Sequence, residues 1–497
     1  MISRQMLCCV WIIGTMVLAA GCLYGPPRVY GAHGASRGPE TQWSPPSRAI
    51  EKQAAFTTRS AREEKKDSRI PAHLIDNIDS LTLADVVTIA LVNSTQTRQA
   101  WEQALSASAA FGSQRGSYFP QINATASGGR ERSLATGAKA VFDGWVYSPS
   151  LNLNWLLFDF GGRKASVDAT REALFAADWT HNAAIQSVIL QVEQAFYGYF
   201  AAKSLLAAEQ ATVEEAKTNL VATQDRRAAG VATIADELQA RTALSQSLLT
   251  LETLQGQIQT TRGLLATAMG LPANTAFDVE MPILAPPVET AKKSVGEYLD
   301  MAKKKRPDLA AARAQAMEAQ DHARAIRAQA FPSITANGSL GQLYFQNLSG
   351  GSTVYSAMIG VNIPLFAGLS HYYDAQSAFA QARAALAAAQ NTEDLVTLQV
   401  WTSYYNFETA DQTVRTSDDL LSSAQQNRDV ASGRYKTGVG TILDLLTAQA
   451  SLESARAQQV QARAQWWTVL AQLAHDTGTL EADSASTVTD AKKGKNQ

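Results

Sequence analysis

The chain carries one helix–turn–helix signature twice, at a spacing of 208 residues. The first copy, "RRAAGVATIADELQARTAL", begins at Arg226, and the second, "RYKTGVGTILDLLTAQASL", begins at Arg434. Further pairs of segments keep this spacing from Phe158 onward, so the similarity extends beyond one motif. A unit repeated at constant spacing indicates an internal duplication. The fold must therefore be built from two comparable halves.

Each half alternates between helical and strand-like patterns in the same order. We predict a helix of about forty residues, two strands, a very long helix, a glycine-containing turn and a final helix of about 35 residues. No proline interrupts the stretch between Pro149 and Pro272, or the chain after Pro364. A continuous helix starting at Gly162 would extend roughly 100 Å. Either these runs are coiled-coil-like rods or they contain breaks, and Gly198 is one candidate position for a break.

Large apolar residues on the two final helices recur at heptad spacing. A sustained seven-residue repeat requires neighbouring helices to supercoil together. Gln, Arg and many Ala interrupt the repeat, so we expect the contacts between neighbouring helices to contain few large apolar side chains. Such narrow contacts, or seams, fit the curved wall of a tube better than a solid bundle core. A plain antiparallel bundle is the alternative that the helices alone leave open. The repeat positions are Leu244, Leu248, Leu251, Gln255, Ile258, Arg262 and Leu265 in the first half, and Leu445, Leu452, Gln459, Trp466 and Leu473 in the second.

Four strand-like segments alternate apolar with small polar residues at a period of two. They are "QINATAS", "SLNLNWLL", "SITANGSLG" and "AMIGVNIPLF". Such alternation is typical of a membrane barrel, with lipid outside and water inside, although a half-buried soluble sheet shows it too. Membrane barrels begin at about eight strands, and open sheet edges do not face hydrocarbon. The strands of one chain must therefore join those of other copies, and three chains would supply twelve strands around a water-filled lumen.

The first 21 residues read as a secretory signal peptide. Arg4 precedes an apolar run from Leu7 to Ala20, which is too short to cross a bilayer but suits a signal h-region. The following "LAAGC" resembles a bacterial lipobox, with Ala19 where leucine is usual, and predicts lipid on Cys22. An ordinary signal with an incidental cysteine is the alternative. The remaining cysteines, Cys8 and Cys9, also lie in this leader.

The repeated signature predicts a tight helical hairpin. Arg434 and Lys436 are placed to oppose the negative end of a helix dipole, and Gly438 to take the left-handed conformation that ends a helix. Thr441 with Asp444 has the spacing of a capping box that starts the next helix. Thr233 with Asp236 repeats that spacing in the first half. Each copy is therefore expected to end one helix and, a few residues later, to begin the next.

Between Leu81 and about Leu480 the chain resembles the TolC-like outer membrane efflux protein family, in its lipid-anchored, NodT/OprM-like branch. The resemblance is carried by "LTLADVVTIAL", "RPDLAAARAQ", "YFP", "AFPS", "LFDFGG" and both hairpin motifs. It implies a mixed α+β membrane protein. In that fold a long α-helical barrel of coiled-coil hairpins continues into a β-barrel shared between three subunits, with four strands per chain. The motif "FAGLSH" departs from the family pattern because it lacks the second glycine, and "NSTQTRQA" because it lacks a proline.

The resemblance also implies a function and partners. The expected function is the exit duct of a tripartite efflux pump or type I secretion system in the cell outer membrane. The expected partners are two further copies, a periplasmic adaptor and an inner membrane transporter of the resistance-nodulation-division type. The hairpin tips would dock on the adaptor, and Asp444 would contribute to an acidic ring that narrows the mouth, although Thr447 stands where the family has a second aspartate. The docking residues would be Arg226, Gly230, Thr233, Asp236, Arg434, Gly438 and Thr441.

Other classes of protein are less well supported by the sequence. Six histidines are scattered without metal-ligand spacing, and no catalytic motif appears, so we expect no enzyme activity and no cofactor beyond the lipid on Cys22. A net charge of −2 gives no case for nucleic acid binding. A lipid-anchored periplasmic coiled-coil adaptor is the alternative function, but an adaptor carries one hairpin whereas this chain carries two.

The predicted organisation has six parts. The two structural repeats are expected to contain strand pairs at about 120–158 and 332–366 respectively. The tether is predicted to have little structure of its own, because it is rich in proline and small residues. The parts are a signal peptide at 1–21, a lipid anchor and flexible tether at 22–76, repeats at 77–280 and 295–480, a connector at 281–294 and a disordered tail at 481–497.

Overall fold

A computed structural model describes residues 36, 38–44, 70, 74, 78, 80–134, 141–280, 294–346 and 350–480. The predicted signal peptide, Cys22, the C-terminal tail and nearly all of the connector lie outside the described residues. The helices are α1 (Leu83–Asn93), α2 (Thr95–Arg115), α3 (Gly162–Ala228), α4 (Ile234–Ala268), α5 (Val295–Lys305), α6 (Pro307–Ala328), α7 (Ser370–Lys436) and α8 (Ile442–Asp476), and the strands are β1 (Gln121–Leu134), β2 (Val141–Phe158), β3 (Ser333–Phe345) and β4 (Gly351–Asn362).

The duplication is visible in the helix boundaries. Helices α3 and α7 each contain 67 residues, and α4 and α8 each contain 35. Both ends of α7 and α8 lie 208 positions after the corresponding ends of α3 and α4. The predicted duplication is therefore confirmed, and each half contributes one antiparallel hairpin whose longer arm extends about 100 Å.

Helix α3 is continuous, so the alternative of an unbroken rod is confirmed and Gly198 is not a break. The neighbouring residues Phe196, Tyr197 and Tyr199 are buried against other elements. These contacts keep the helix continuous at the glycine. A glycine inside a helix costs only about 1 kcal/mol relative to alanine. Burying an aromatic side chain contributes about twice that, so packing outweighs the local propensity.

The first helix of each half is shorter than the predicted forty residues because it is divided in two. Ser94 adopts an extended conformation between α1 and α2, and its hydroxyl accepts the backbone N–H of Thr97, which caps α2. In the second half, Arg306 is extended and Pro307 takes the first position of α6. A proline ring excludes the helical conformation from the residue before it, so the chain turns at this point.

The four strands form one antiparallel sheet in the order β1-β2-β3-β4. Asn123 lies opposite Asn152, and Asn154 lies opposite Asn337, so the polar positions of successive strands share one face. The amide of Asn154 donates to Asn337 across strands at 2.9 Å. Apolar partners such as Ile122 and Leu153 lie on the other face. The predicted alternation is confirmed, and β1 and β4 are the two edges of the sheet.

The turns from sheet to hairpin use two consecutive left-handed residues in each half. In the first half these are Phe160 and Gly161, with φ of 52° and 89°. In the second half they are Gly368 and Leu369, with φ of 61° and 66°. The departure seen in "FAGLSH" therefore places a leucine in a conformation that L-residues adopt at a cost of about 1–2 kcal/mol.

Part of the predicted flexible tether is packed against α3. Trp43 is 5% exposed, and its ring meets the edge of Trp179 at 5.3 Å between centroids. The side chain of Asn182 accepts from the N–H of Trp43 and donates to its carbonyl, both at 2.7 Å. His181 contacts the carbonyl of Pro39 at 2.9 Å. Residues 38–44 are therefore ordered, unlike the predicted flexible tether. The buried ring of Trp43 and the backbone hydrogen bonds to Asn182 and His181 offset the entropy lost when this segment is ordered.

The main core lies beside the middle of the rods, where α1 packs on α3 and on the end of α4. Val86, Ile189 and Leu265 are buried there. Towards the tips the seam between α7 and α8 narrows to Ala424, Leu452 and small neighbours, as the diluted heptads predict. No helix of the described residues combines the length and apolarity needed to cross a membrane.

The heptad positions of α8 and α4 differ in burial. On α8, Leu445, Leu452, Trp466 and Leu473 are buried, and Gln459 donates to Asp418 at 2.6 Å. Of the predicted positions on α4, Leu265 alone is fully buried. The reason is that α8 lies between α7 and α3, whereas α4 packs mainly on α3.

Candidate functional site: the hairpin tips

Both hairpins end in the same glycine-terminated turn. Gly230 and Gly438 have φ of 76° and 77°. The N–H of Val231 donates to the carbonyl of Arg226 at 2.9 Å, and that of Val439 donates to the carbonyl of Arg434 at 3.0 Å. These bonds close a Schellman motif, in which a left-handed residue satisfies the last carbonyls of a helix. The predicted role of both glycines as helix terminators is confirmed.

Each following helix starts with a complete capping box, as predicted. The N–H of Asp444 donates to the hydroxyl oxygen of Thr441 at 3.2 Å, and the N–H of Thr441 donates to the Asp444 carboxylate at 3.1 Å. In the first half the N–H of Asp236 donates to the hydroxyl oxygen of Thr233 at 3.2 Å, and the N–H of Thr233 donates to the Asp236 carboxylate at 2.7 Å. The backbone N–H of Thr441 lowers the pKa of Asp444, with smaller contributions from the threonine hydroxyl and the charge of Arg434.

The two tips are joined by Arg226, which does not project freely into solvent. Its guanidinium lies 4.7 Å from the centre of the Tyr435 ring and donates to the Tyr435 carbonyl at 3.1 Å. The Tyr435 hydroxyl lies 3.5 Å from that of Thr223, which is fully buried. A cation over an aromatic face contributes about 0.5–1 kcal/mol at a partly exposed site. Arg226 therefore links the first hairpin to the second.

Sequence reasoning missed Tyr435 and Thr223 as members of this contact. Tyr435 stands next to Arg434 inside the quoted motif, but its counterpart in the first half is Arg227. The duplication therefore gave no signal for a tyrosine at this position. Arg227 instead forms an ion pair with Glu237 across its own turn, and this pair lowers the pKa of Glu237.

The tips expose apolar side chains beside their polar caps. Val231 and Val439, which occupy the same place in the two motifs, are 64% and 73% exposed. Ile234 is also exposed on the first tip, whereas its counterpart Ile442 is 3% exposed because α8 is enclosed by α3 and α7. Exposed apolar groups rimmed by polar residues are typical of a protein-binding surface.

The described residues offer no cluster of histidine, cysteine, aspartate and glutamate side chains that would hold a metal ion. Asp444 lies near the tip with its carboxylate engaged by Thr441. Cys22, the predicted lipid attachment site, lies outside the described part of the chain.

A model of a protein family described as "outer membrane efflux protein" matches residues 86–271 and 298–479, one segment in each half. Among curated proteins, Protein CyaE of Bordetella pertussis is 27% identical over 393 residues, covering 78% of this chain and 81% of CyaE. Outer membrane protein OprJ of Pseudomonas aeruginosa is 26% identical over 378 residues, covering 74% of this chain and 78% of OprJ.

Solved structures share the same fold. A membrane protein from Pseudomonas aeruginosa superposes with a TM-score of 0.70 at 26% identity, covering 80% of this chain and 93% of that one. The outer membrane protein VceC from Vibrio cholerae also gives a TM-score of 0.70, at 20% identity, covering 80% of this chain and 96% of VceC. The two segments matched by the family model cover both hairpins and the four strands.

Proposed function

The chain belongs to the outer membrane efflux protein family, and on that premise we propose that three copies form the exit duct of a tripartite efflux pump or type I secretion system. It is an outer membrane channel with a periplasmic extension, and its family consists of channels rather than enzymes. The observation that carries the proposal is that one chain contains two long hairpins and a sheet with two free edges.

The sheet supports a shared ring of strands. Within the described residues β1 and β4 each pair on one side only, which leaves a row of backbone N–H and carbonyl groups on each edge. Such groups cost several kcal/mol each in hydrocarbon. Joining β4 of one copy to β1 of the next removes both edges. The hydrogen-bonded Asn, Ser and Thr face would then line water, and the apolar face would meet lipid.

The direct test of the channel is reconstitution of the purified full-length protein. We expect it to require detergent for extraction, to behave as a trimer and to conduct ions in planar bilayers. A monomer that is stable without detergent and does not conduct would instead support a periplasmic adaptor or structural protein. Deleting the gene and profiling sensitivity to drugs, dyes and metals would then identify the class of cargo.

The proposed partners are a periplasmic adaptor at the tips and, beyond it, an inner membrane transporter of the resistance-nodulation-division type. A relative, TtgC of Pseudomonas putida, is described as a probable efflux pump outer membrane protein. The exposed Val231 and Val439 support docking, since each projects from a turn held rigid by a glycine stop and a threonine cap. Arg434, Gly438 and Thr441 form this turn on the second hairpin, and Arg226, Gly230, Thr233 and Asp236 form it on the first.

Docking is tested by replacing the exposed valines with charge. Val439→Asp should weaken capture of the pump's adaptor by the purified trimer while leaving trimer formation and conductance intact. Val221→Asp is the matched control, because Val221 is 56% exposed on α3 away from the turn. Equal capture by both variants would refute docking at this surface.

Asp444 is the proposed gate residue. Three copies of this exposed carboxylate would narrow the mouth and favour cations. Asp444→Asn keeps an acceptor for the Thr441 N–H, so the helix cap survives while the charge is lost. We expect larger conductance and reduced cation selectivity in this variant. The gate role fails if single-channel conductance and selectivity stay at wild-type values in both Asp444→Asn and Asp444→Ala.

We also propose that Cys22 carries covalent lipid after removal of the leader. The support is the "LAAGC" junction and the placement of Cys8, Cys9 and Cys22 within the first 22 residues. Labelling cells with a radioactive or clickable fatty acid should mark the wild-type protein and leave Cys22→Ser unmarked. Label retained in Cys22→Ser would refute lipidation at this position.

A further inference from the structure

A wide groove lies about halfway along α3, on the wall that α3 forms with α8 and α7. Its volume is about 870 Å³, and ten of its sixteen lining residues are Gln, Thr or Ser. Gln412 of α7 and Gln461 and Gln465 of α8 are exposed at its sides. At its floor Tyr197 is buried and stacks on Trp467, with 5.8 Å between the ring centres. The groove therefore combines hydrogen-bonding sides with an apolar floor.

The groove carries no charge, although its helices do. Asp411 pairs with Arg415 at 2.8 Å, and Asp418 pairs with Arg463 at 3.0 Å, measured between carboxylate oxygen and guanidinium nitrogen. These residues belong to the same stretches of α7 and α8 as the groove. Within the described residues, however, no aspartate, glutamate, lysine, arginine or histidine lines it. The four charged side chains thus occupy other faces of the helices, where they pair with each other.

The groove lies on the side of the wall that faces away from the main core. On α3, Gln194 lines the groove, whereas Phe196 and Tyr199 point into the main core beside α1. Tyr404 of α7 also turns away from the groove and contacts Tyr298 of α5, with 5.9 Å between the ring centres. Helices α1 and α5 therefore pack on one side of the wall, and the groove occupies the other. In a ring of three copies the groove side lines the lumen, because α1 and α5 would otherwise fill it.

The duplication extends this neutral surface beyond one groove. The residues 208 positions after Gln194 and Gly198 are Thr402 and Asn406 on α7. If α7 meets α4 of the next copy as α3 meets α8 within one chain, the seam between copies has the same uncharged lining. Three copies would then present six such surfaces at one level of the lumen. The residues of α4 that lie 208 positions before the groove residues Gln458, Gln461, Gln465 and Thr468 are Thr250, Thr253, Gln257 and Thr260.

We propose that this groove is a transit site for uncharged cargo that carries several hydrogen-bonding groups beside an apolar face. The inference rests on the proposed function, because the groove faces a lumen only in the assembled duct. It adds a class of cargo to that function and places the contact at the middle of the rods rather than at the tips.

The chemistry of the lining determines this class of cargo. A glutamine amide offers two donors and an acceptor, and a threonine hydroxyl both donates and accepts, so the sides can pair with donors or acceptors of a solute. These bonds replace bonds to water and each contributes little. Binding is therefore weak enough for the cargo to leave again, as conduction requires. A charged solute would lose part of its hydration at the apolar floor without meeting a counter-charge, which disfavours it.

The first test measures binding without using conductance. The purified full-length trimer, in a detergent without a sugar headgroup, is titrated with maltohexaose and followed by saturation-transfer NMR. This neutral sugar has hydroxyl groups beside apolar ring faces, and we expect weak, saturable binding. Combining Gln461→Met with Gln465→Met keeps the length of both side chains and removes both amides, which should weaken binding about tenfold. Gln426→Met is the matched control, because Gln426 is exposed on α7 outside the groove.

A charged sugar tests the preference for neutral cargo. Hexagalacturonate has the same number of sugar rings as maltohexaose and a carboxylate on each ring. We expect it to bind several-fold more weakly in the same titration. Equal binding of the two sugars overturns the inference, and so does equal binding of maltohexaose by wild type and the double methionine variant.

The second test connects the groove with the duct. Maltohexaose added to the reconstituted trimer should interrupt the single-channel current, with interruptions about tenfold shorter in the double variant and unchanged in Gln426→Met. A trimer that never conducts refutes the proposed function. A trimer that conducts but does not bind maltohexaose, or binds it without interruption of the current, refutes this inference alone.

Discussion

At the residue scale, the left-handed turns before α3 and α7 differ in which residue is glycine. The first turn has Phe160 followed by Gly161, and the second has Gly368 followed by Leu369. Each turn therefore contains one residue that adopts the left-handed conformation at a steric cost of about 1–2 kcal/mol. Both halves incur this steric cost at the junction of the sheet and the long helix, where the chain must change direction sharply.

Replacing Leu369 with glycine should relieve this cost. The expected gain is about 0.5–1 kcal/mol, because the greater flexibility of glycine in the unfolded chain offsets part of the relief. Thermal unfolding of the detergent-solubilised protein would report it. Leu365→Gly is the control, since Leu365 is 91% exposed and does not have positive φ. The strain argument is wrong if both variants are destabilised alike.

Thr441 offers a second prediction at this scale. Thr441→Ala should destabilise the tip by about 1 kcal/mol because the N–H of Asp444 loses its acceptor, whereas Thr441→Ser should be close to wild type. Limited proteolysis at the turn would detect the difference as faster cleavage of the alanine variant. Identical cleavage of both variants would mean that the cap does not hold the tip.

At the scale of elements, tertiary packing keeps α3 helical at a position where the low helix propensity of glycine would favour a break. Gly198 lies within the 67-residue helix, and a Cβ built at this position would meet no atom within 4 Å. The helix continues because its aromatic neighbours are buried on the opposite side. The glycine is thus a local weakness that tertiary contacts tolerate rather than a hinge.

Gly198→Ala should therefore raise stability by about 0.5–1 kcal/mol. Gly270→Ala is the opposite case: Gly270 has φ of 71°, and a Cβ there would lie 2.7 Å from that of Asn93. It should be clearly destabilising. Denaturant unfolding of both variants, read by helical circular dichroism, checks the pair. A loss of stability in Gly198→Ala would indicate that another copy of the chain packs against this glycine.

The contact between the two tips joins the ends of α3 and α7. Arg226→Gln should lose the interaction with the Tyr435 ring and loosen the tips, which would increase conductance. Tyr435→Phe keeps both the ring and the carbonyl that Arg226 uses, so we expect it to resemble wild type. If Tyr435→Phe behaves like Arg226→Gln, the hydroxyl contact with Thr223 is the one that matters.

At the scale of the whole molecule, the duplication predicts how copies join. The register of β1 with β2 is repeated by β3 with β4: Gln121 faces Asn154 as Ser333 faces Asn362. If β4 meets β1 of the next copy as β2 meets β3, then Asn362 lies opposite Thr125 of that copy, in the way that Asn154 lies opposite Asn337. Directly opposed residues have Cα atoms about 4.5–5.5 Å apart, within disulfide range.

Combining Asn362→Cys with Thr125→Cys should consequently yield disulfide-linked trimers under oxidising conditions, seen by non-reducing electrophoresis. Combining Asn362→Cys with Ala126→Cys is the control, because neighbouring residues of a strand point to opposite faces. Crosslinking in the control but not in the first variant would place the register one residue away from the prediction.

The sequence alone determined the duplication, the hairpin stops and starts, the alternation of the strands and the family. These features are local, since glycine, proline, capping residues and periodicity act through the backbone within a few residues. Tertiary structure decided the continuity through Gly198, the packing of Trp43 on α3 and the contact of Arg226 with Tyr435. Each of these depends on which residues, far apart in the chain, are brought into contact, and a local pattern carries no information about that.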